Sequence, residues 1–325
     1  MNRTAWVAVL ALLGTSPAVA QTAGQPVAEV ANVRFYSDEL MNLHHTLYAA
    51  AWRGRIQGRP LSQRLTQAPT APFTPEERAA WDEAVRYYDR ELASKDLLFG
   101  EGMIGIKYAL VHTGLDDPAL APGLRAVLRA SLPVYRSRFW PEHDRVNRAW
   151  IAVVSERMAT LAPEVIPRLE TLYGTRWFAA PERADVVWVG SWAGAYATDG
   201  PPHATMSSTH PSMQDPWLAA ETVFHEYSHI LILDLQKRLE AALGEDLKQH
   251  PVLWHAIHFY LTGEVVRAAL AGVNTTSRRA SADMFERAWP QYREPIADAW
   301  GPYVDGRRTM DEAIAATAAA IKAVR

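Results

Sequence analysis

The sequence predicts a predominantly helical α+β protein with one small β-sheet or hairpin. Three observations carry this expectation. Apolar residues recur at helical spacing before Gly174 and after Asp215. Short β-branched runs are confined to the stretch between those two residues. Helix-start signatures appear at Thr74-Pro75 with Glu77, at Asp215-Pro216, and at Thr309 with Glu312.

In chain order, residues 21–33 read as an unstructured segment. Ser37 is placed to cap a helix through "DELMNLHHTLYAAAW". The Gly-, Pro- and Gln-rich residues 54–73 read as a loop. Helices then follow over 74–94, 96–111, 119–131 and 143–173, the last expected to break at Pro163 and Pro167. "ADVVWVG" (184–190), "GAYAT" (194–198) and "HATMSS" (203–208) are strand candidates. Asp199-Gly200-Pro201-Pro202 makes the last two a hairpin. A long helix is expected from Pro216 to Leu243, stopped by Gly244, and another from Pro251 to Gly272. These elements suggest an N-terminal helical region (21–175), a central core with the sheet (176–272) and a C-terminal helical region (273–325).

Composition excludes several classes of function. The 325 residues carry a net charge of −3, so no basic field draws nucleic acid or anionic lipid. There is no cysteine, which removes thiolate catalysis, disulfides and Cys-based metal sites. Any metal site must use His, Asp or Glu. Residues 1–20, "MNRTAWVAVLALLGTSPAVA", have one Arg, an apolar run and a small-residue end. That is the layout of a secretory signal cut near Ala20-Gln21, implying a periplasmic or secreted protein without a membrane anchor.

"ETVFHEYSHILILDL" (221–235) carries the chemistry. His225 and His229 lie four apart on a helix and share a face, so both imidazoles can meet one metal ion. Glu226 points about 100° away around the axis, off the ion but within reach of a water beside it. Ionisable groups in so apolar a segment are costly to bury without a partner.

On this His-Glu-x-x-His helix the sequence resembles the zincin metallopeptidases. The resemblance implies an active-site helix beneath a small sheet, a zinc cofactor, Glu226 as general base, and a peptide or protein substrate. A third zinc ligand is expected. The metzincin pattern would need Gly at 232 and His at 235, where Ile232 and Leu235 stand, and the aspzincin Gly-Thr-x-x-Asp is missing. The gluzincin branch takes a Glu from a later helix, which here is Glu264 in "YLTGEVVRAAL". His255, His258, Glu240 and Glu245 compete with it. Tyr260 shares the Glu264 face and is the candidate oxyanion donor, with Tyr196, His258 and Arg267 as rivals. The resemblance also places 203–208 or 194–198 as the edge strand above the cleft. His143 and Asn147 either cap a helix or line that cleft. Two other readings stay open: a zinc hydrolase of non-peptide amides or esters, and a non-catalytic periplasmic binding or scaffold protein.

Overall fold

The strands Ala28–Val30 (β1), Val33–Tyr36 (β2), Glu182–Val187 (β3), Ala195–Asp199 (β4) and Pro202–Ser207 (β5) form one mixed sheet, in the order β1-β2-β3-β5-β4. The computed structural model describes residues 24–56, 67–190, 194–199, 202–273, 275 and 280–323. The proposed signal segment lies outside the described residues. Strands β2 and β5 flank β3 in parallel, while β1–β2 and β4–β5 are antiparallel. The expected hairpin is therefore present, with Tyr196 opposite Thr205.

Within the segment 21–33 that the sequence suggested was unstructured, residues 28–30 form β1 and Val33 begins β2. Val33 and Phe35 alternate inward with no exposure, which is what a half-buried strand requires. The reversal before them uses Ala31 and Asn32 at φ of 54° and 60°. Asn tolerates that left-handed backbone and also bonds Phe178 O at 3.0 Å through Nδ2.

Eleven α-helices surround the sheet among the described residues: Glu39–Ile56 (α1), Pro75–Glu91 (α2), Glu101–His112 (α3), Pro122–Arg138 (α4), Trp140–Tyr173 (α5), Pro216–Ser228 (α6), Leu233–Leu243 (α7), Leu253–Leu270 (α8), Ala280–Arg287 (α9), Arg293–Val304 (α10) and Met310–Ala323 (α11). The predominantly helical α+β class is thus the observed one. The capping boxes at Thr74–Glu77 and Thr309–Glu312 form as predicted. α1 is capped one residue later than expected, by Asp38, whose Oδ1 accepts from Met41 N at 2.9 Å. Pro163 and Pro167 do not break α5. Both are exposed, as is Ala159, so the carbonyls of Ala159 and Pro163 that lose their donors face solvent. The inward stripe Val154, Met158, Leu161, Val165 and Leu169 continues past them.

The two faces of the sheet differ in chemistry. Val33, Phe35, Ala184, Val186, Ala204 and Met206 pack with α5, α6 and α8 in one apolar core. The opposite face carries Asp185, Tyr196, His203 and Thr205, covered by α1 and α3. The four helices α1–α4 close a second core there around Leu47, Trp81, Tyr88, Leu110 and Tyr135.

Asn42 joins α1 to the sheet. Its Nδ2 donates to Asp38 O (2.8 Å) and Val186 O (3.0 Å). Its Oδ1 accepts from Trp188 N (2.8 Å) and Asn147 Nδ2 (3.0 Å). Asn42→Leu strands buried partners on three elements, and we expect a loss of about 3–5 kcal/mol in denaturant unfolding. Asn147 also accepts from Ser208 Oγ at 2.6 Å. His143 stacks on Trp188 at 4.6 Å between Tyr135 and Gln67. Both therefore tie elements together inside α5, neither capping its start nor lining a cleft.

Candidate metal centre

α6 lies on the apolar face of the sheet, against β4, β5, α5 and α8. Asp215 starts it by accepting from Trp217 N and Leu218 N. The continuous helix expected to Leu243 ends instead at Ser228. A 3-10 turn, His229–Leu231, follows before α7. Side chains take the carbonyl at this break: Ser228 Oγ donates to His225 O at 3.0 Å and His258 Nε2 at 3.1 Å. The four-residue spacing survives, with the rings of His225 and His229 4.9 Å apart.

The third group to reach the pair is His255, from the first turn of α8. Its Nε2 lies 3.1 Å from His225 Nε2, and His229 Nε2 lies 3.2 Å from the same atom. Tetrahedral Zn–N bonds of about 2.0–2.1 Å place ligand nitrogens about 3.3–3.4 Å apart, close to both of these distances, and the His229 and His255 rings stand 5.1 Å apart. His258 also brings a ring nitrogen within 4.8 Å of those of His225 and His229. Its nitrogens are already committed. A carbonyl only accepts, so Nε2 carries the proton given to His225 O, and Nδ1 accepts from Tyr173 OH at 2.7 Å. His225, His229 and His255 are therefore the residues with nitrogens left over that could hold a metal, with His258 as their buttress.

Burial keeps these imidazoles neutral, as ligands must be. It pushes His225 well below the ordinary histidine range, His229 to about 4, and His255, with His229 adding to the effect, to about 3. Aromatic rings form the wall. Phe259 stacks on His225 at 3.6 Å, Trp254 on His255 at 4.9 Å, and Trp289 lies 5.5 Å from His255. His225 Nδ1 is buried without a hydrogen-bond partner, so Phe259 stacking holds that ring.

Glu226 is 7% exposed. Burial raises its carboxyl to about 8, and a hydrogen bond from the Ala197 backbone partly offsets that rise. Ala197 belongs to β4, the outermost strand at that end of the sheet. The edge is therefore 195–199, and 202–207 is interior.

Two expected residues are elsewhere. Glu264 is not part of the histidine group: it stands nine residues after His255, half a turn around α8, and pairs with Arg267 at 2.7 Å. Tyr260 faces α10 instead, its hydroxyl 3.2 Å from where a Cβ on Gly301 would stand. Among the rival donors, Tyr196 lies on the other face of the sheet, bonded to His45 at 2.7 Å. Glu245 pairs with Lys248. The sequence reading held His255 only as a competitor of Glu264, whereas the fold brings His255 to the histidine pair. The signal was His255, His258 and Phe259 at i, i+3 and i+4, one face of one helix.

No protein-family model, curated protein or solved structure matches the chain.

The buttress makes a prediction. Tyr173→Phe removes the donor to His258 Nδ1 and frees that ring to reorient. Competition with a chelator should show zinc affinity falling about 10–100-fold with the fold retained. Unchanged affinity would leave His258 as packing alone.

Proposed function

We propose that this chain is an exported zinc-dependent metallohydrolase acting on peptide bonds. His225, His229 and His255 hold the metal and Glu226 is the general base. The observation that supports this reading is that His229 and His255 each bring Nε2 within 3.1–3.2 Å of His225 Nε2, on the helix that also carries the buried Glu226. Three imidazoles without thiolate suit zinc. When bound, the metal supplies Lewis-acid polarisation of a substrate carbonyl and makes water more acidic. Glu226 takes the proton from the attacking water and passes it to the leaving nitrogen, a role suited to a carboxyl with raised proton affinity. The Ala197 backbone orients that carboxyl, and Phe259, Trp254 and Trp289 limit water at the site. The outer edge of β4 offers main-chain groups to an extended substrate.

Export rests on the signal-like residues 1–20. Among the described residues, no helix is long and apolar enough to cross a membrane. The depth of the site, with His225 at 1% exposure, favours one second reading, in which the substrate is a small amide or ester.

Glu226→Gln tests the assignment. It should keep one zinc per chain and the native circular dichroism spectrum, while turnover falls about 10²–10⁴-fold. A panel of defined peptides and small amides and esters separates the two substrate classes. Wild-type turnover by the variant would end the proposal.

A further inference from the structure

A second group of buried polar side chains lies on the opposite face of the sheet, apart from the histidine centre. Lys107 of α3 is fully buried, and its Nζ has no hydrogen-bond partner. The ammonium sits 4.1 Å above the centre of the Tyr196 ring. Around it are His44, His45, His203 and Asp185, each at most 3% exposed.

The proton positions follow from the partners. His45 Nδ1 donates to Met41 O at 2.8 Å, so its Nε2 accepts from Tyr196 OH at 2.7 Å. His44 Nδ1 accepts from Tyr88 OH at 2.8 Å, which leaves the proton on Nε2, a buried donor with no acceptor. Asp185 is committed to three donors: Arg183 holds both its oxygens at 2.7 and 2.8 Å, and His203 Nε2 donates at 2.7 Å. That leaves His203 Nδ1 as an unpaired acceptor.

The group is therefore rich in donors. Lys107 and His44 offer N–H groups with no acceptor, against a single free lone pair on His203. Thr205, beside the Tyr196 hydroxyl, can serve either way. A water brings as many hydrogens as lone pairs and cannot correct such an excess. An ion that only accepts can. Arg183 is shared between Asp185 at 2.7 Å and Asp38 at 3.5 Å, and neither carboxylate bonds Lys107 Nζ.

We propose that this interface binds a small monovalent anion of halide size, held by Lys107 Nζ and His44 Nε2 with Thr205 and Tyr196 beside it. Without such a partner, burial brings the Lys107 amine down to about 7. The site backs β4: Tyr196 faces the anion, and Ala197, next along the strand, meets Glu226 from the other side. The proposal is independent of the metal reading.

Bromide is the probe. In the full chain at constant ionic strength, sodium bromide in place of sodium gluconate should raise Tm by about 2–4 °C and saturate with concentration. Lys107→Met should abolish that rise. In crystals soaked in bromide, an anomalous peak should stand beside Lys107 Nζ. Equal Tm in both salts, an unchanged rise in the variant, or bromide peaks confined to the surface (an adventitious ion only) would each overturn the proposal. The diffraction arm uses the wild-type chain and decides alone if the variant does not fold.

Discussion

Replacing His255 with Ala should strip zinc from the protein, whereas Glu264→Gln should leave it bound. The two variants separate the ligand set suggested by resemblance from the one assembled in the fold. Removing one of three imidazoles leaves two ligands from adjacent turns of one chain segment, and affinity should fall by at least about 100-fold. Glu264→Gln breaks a pair with a half-exposed Arg267 and touches none of the three nitrogens. Its effect on stability should stay within about 1 kcal/mol. Metal content after dialysis, then competition with a chelator, reads the difference. Zinc at about 1,000 times its Kd adds about 4 kcal/mol to stability, so thermal unfolding should show that increment in wild type and Glu264→Gln only. Zinc lost from Glu264→Gln but kept by His255→Ala would refute the three-histidine centre.

The second large effect concerns Lys107. In gluconate, without a halide partner, Lys107→Met should stabilise the protein by several kcal/mol at neutral pH. The folded amine sits at about 7, down from an ordinary 10.5. At 1.36 kcal/mol per unit, a shift of that size corresponds to a penalty on the order of 4 kcal/mol. Because the folded value is the lower one, the unfolded chain binds more protons between the two values. Wild-type stability therefore rises with pH from about 7 towards 9.5, and the variant should lose that slope. The surrounding groups titrate elsewhere. Burial lowers His44 and His203 and brings His45 to about 3, and it raises Tyr88 and Tyr196 above the window. Arg183, together with the hydrogen bond from His203, overcomes burial and holds Asp185 far below it. Urea unfolding at several pH values measures the slope. A wild-type curve parallel to that of Lys107→Met would contradict the assignment.

What the sequence made legible was local. The capping residues at Thr74, Asp215 and Thr309 act within a few residues of themselves, and so does the four-residue spacing of His225 and His229. A third ligand would depend on which side of α8 faces α6, and the apolar residues of α8 give that side no phase, leaving the spacing of His255, His258 and Phe259 as the one weak signal. Leu253, Ala256, Ile257, Phe259, Leu261, Val265 and Val266 are buried all around it. A helix apolar on every side gives polar residues no preferred direction. The resemblance then favoured Glu264, although Arg267 one turn later was a ready surface partner. β1 and β2 were missed because their partner β3 lies far along the chain and their own runs are short. The solvent-facing prolines of α5 show the converse: a strong local breaker is overruled where the inward stripe is intact.

The pairing of β2 with β3 also governs the order in which the chain folds. Val33 finds Glu182 only after five helices have been made. During synthesis, the four helices of the second core can gather among themselves before that partner emerges. The first strands meanwhile keep an open edge, the slow, long-range step of assembly and the one most exposed to aggregation.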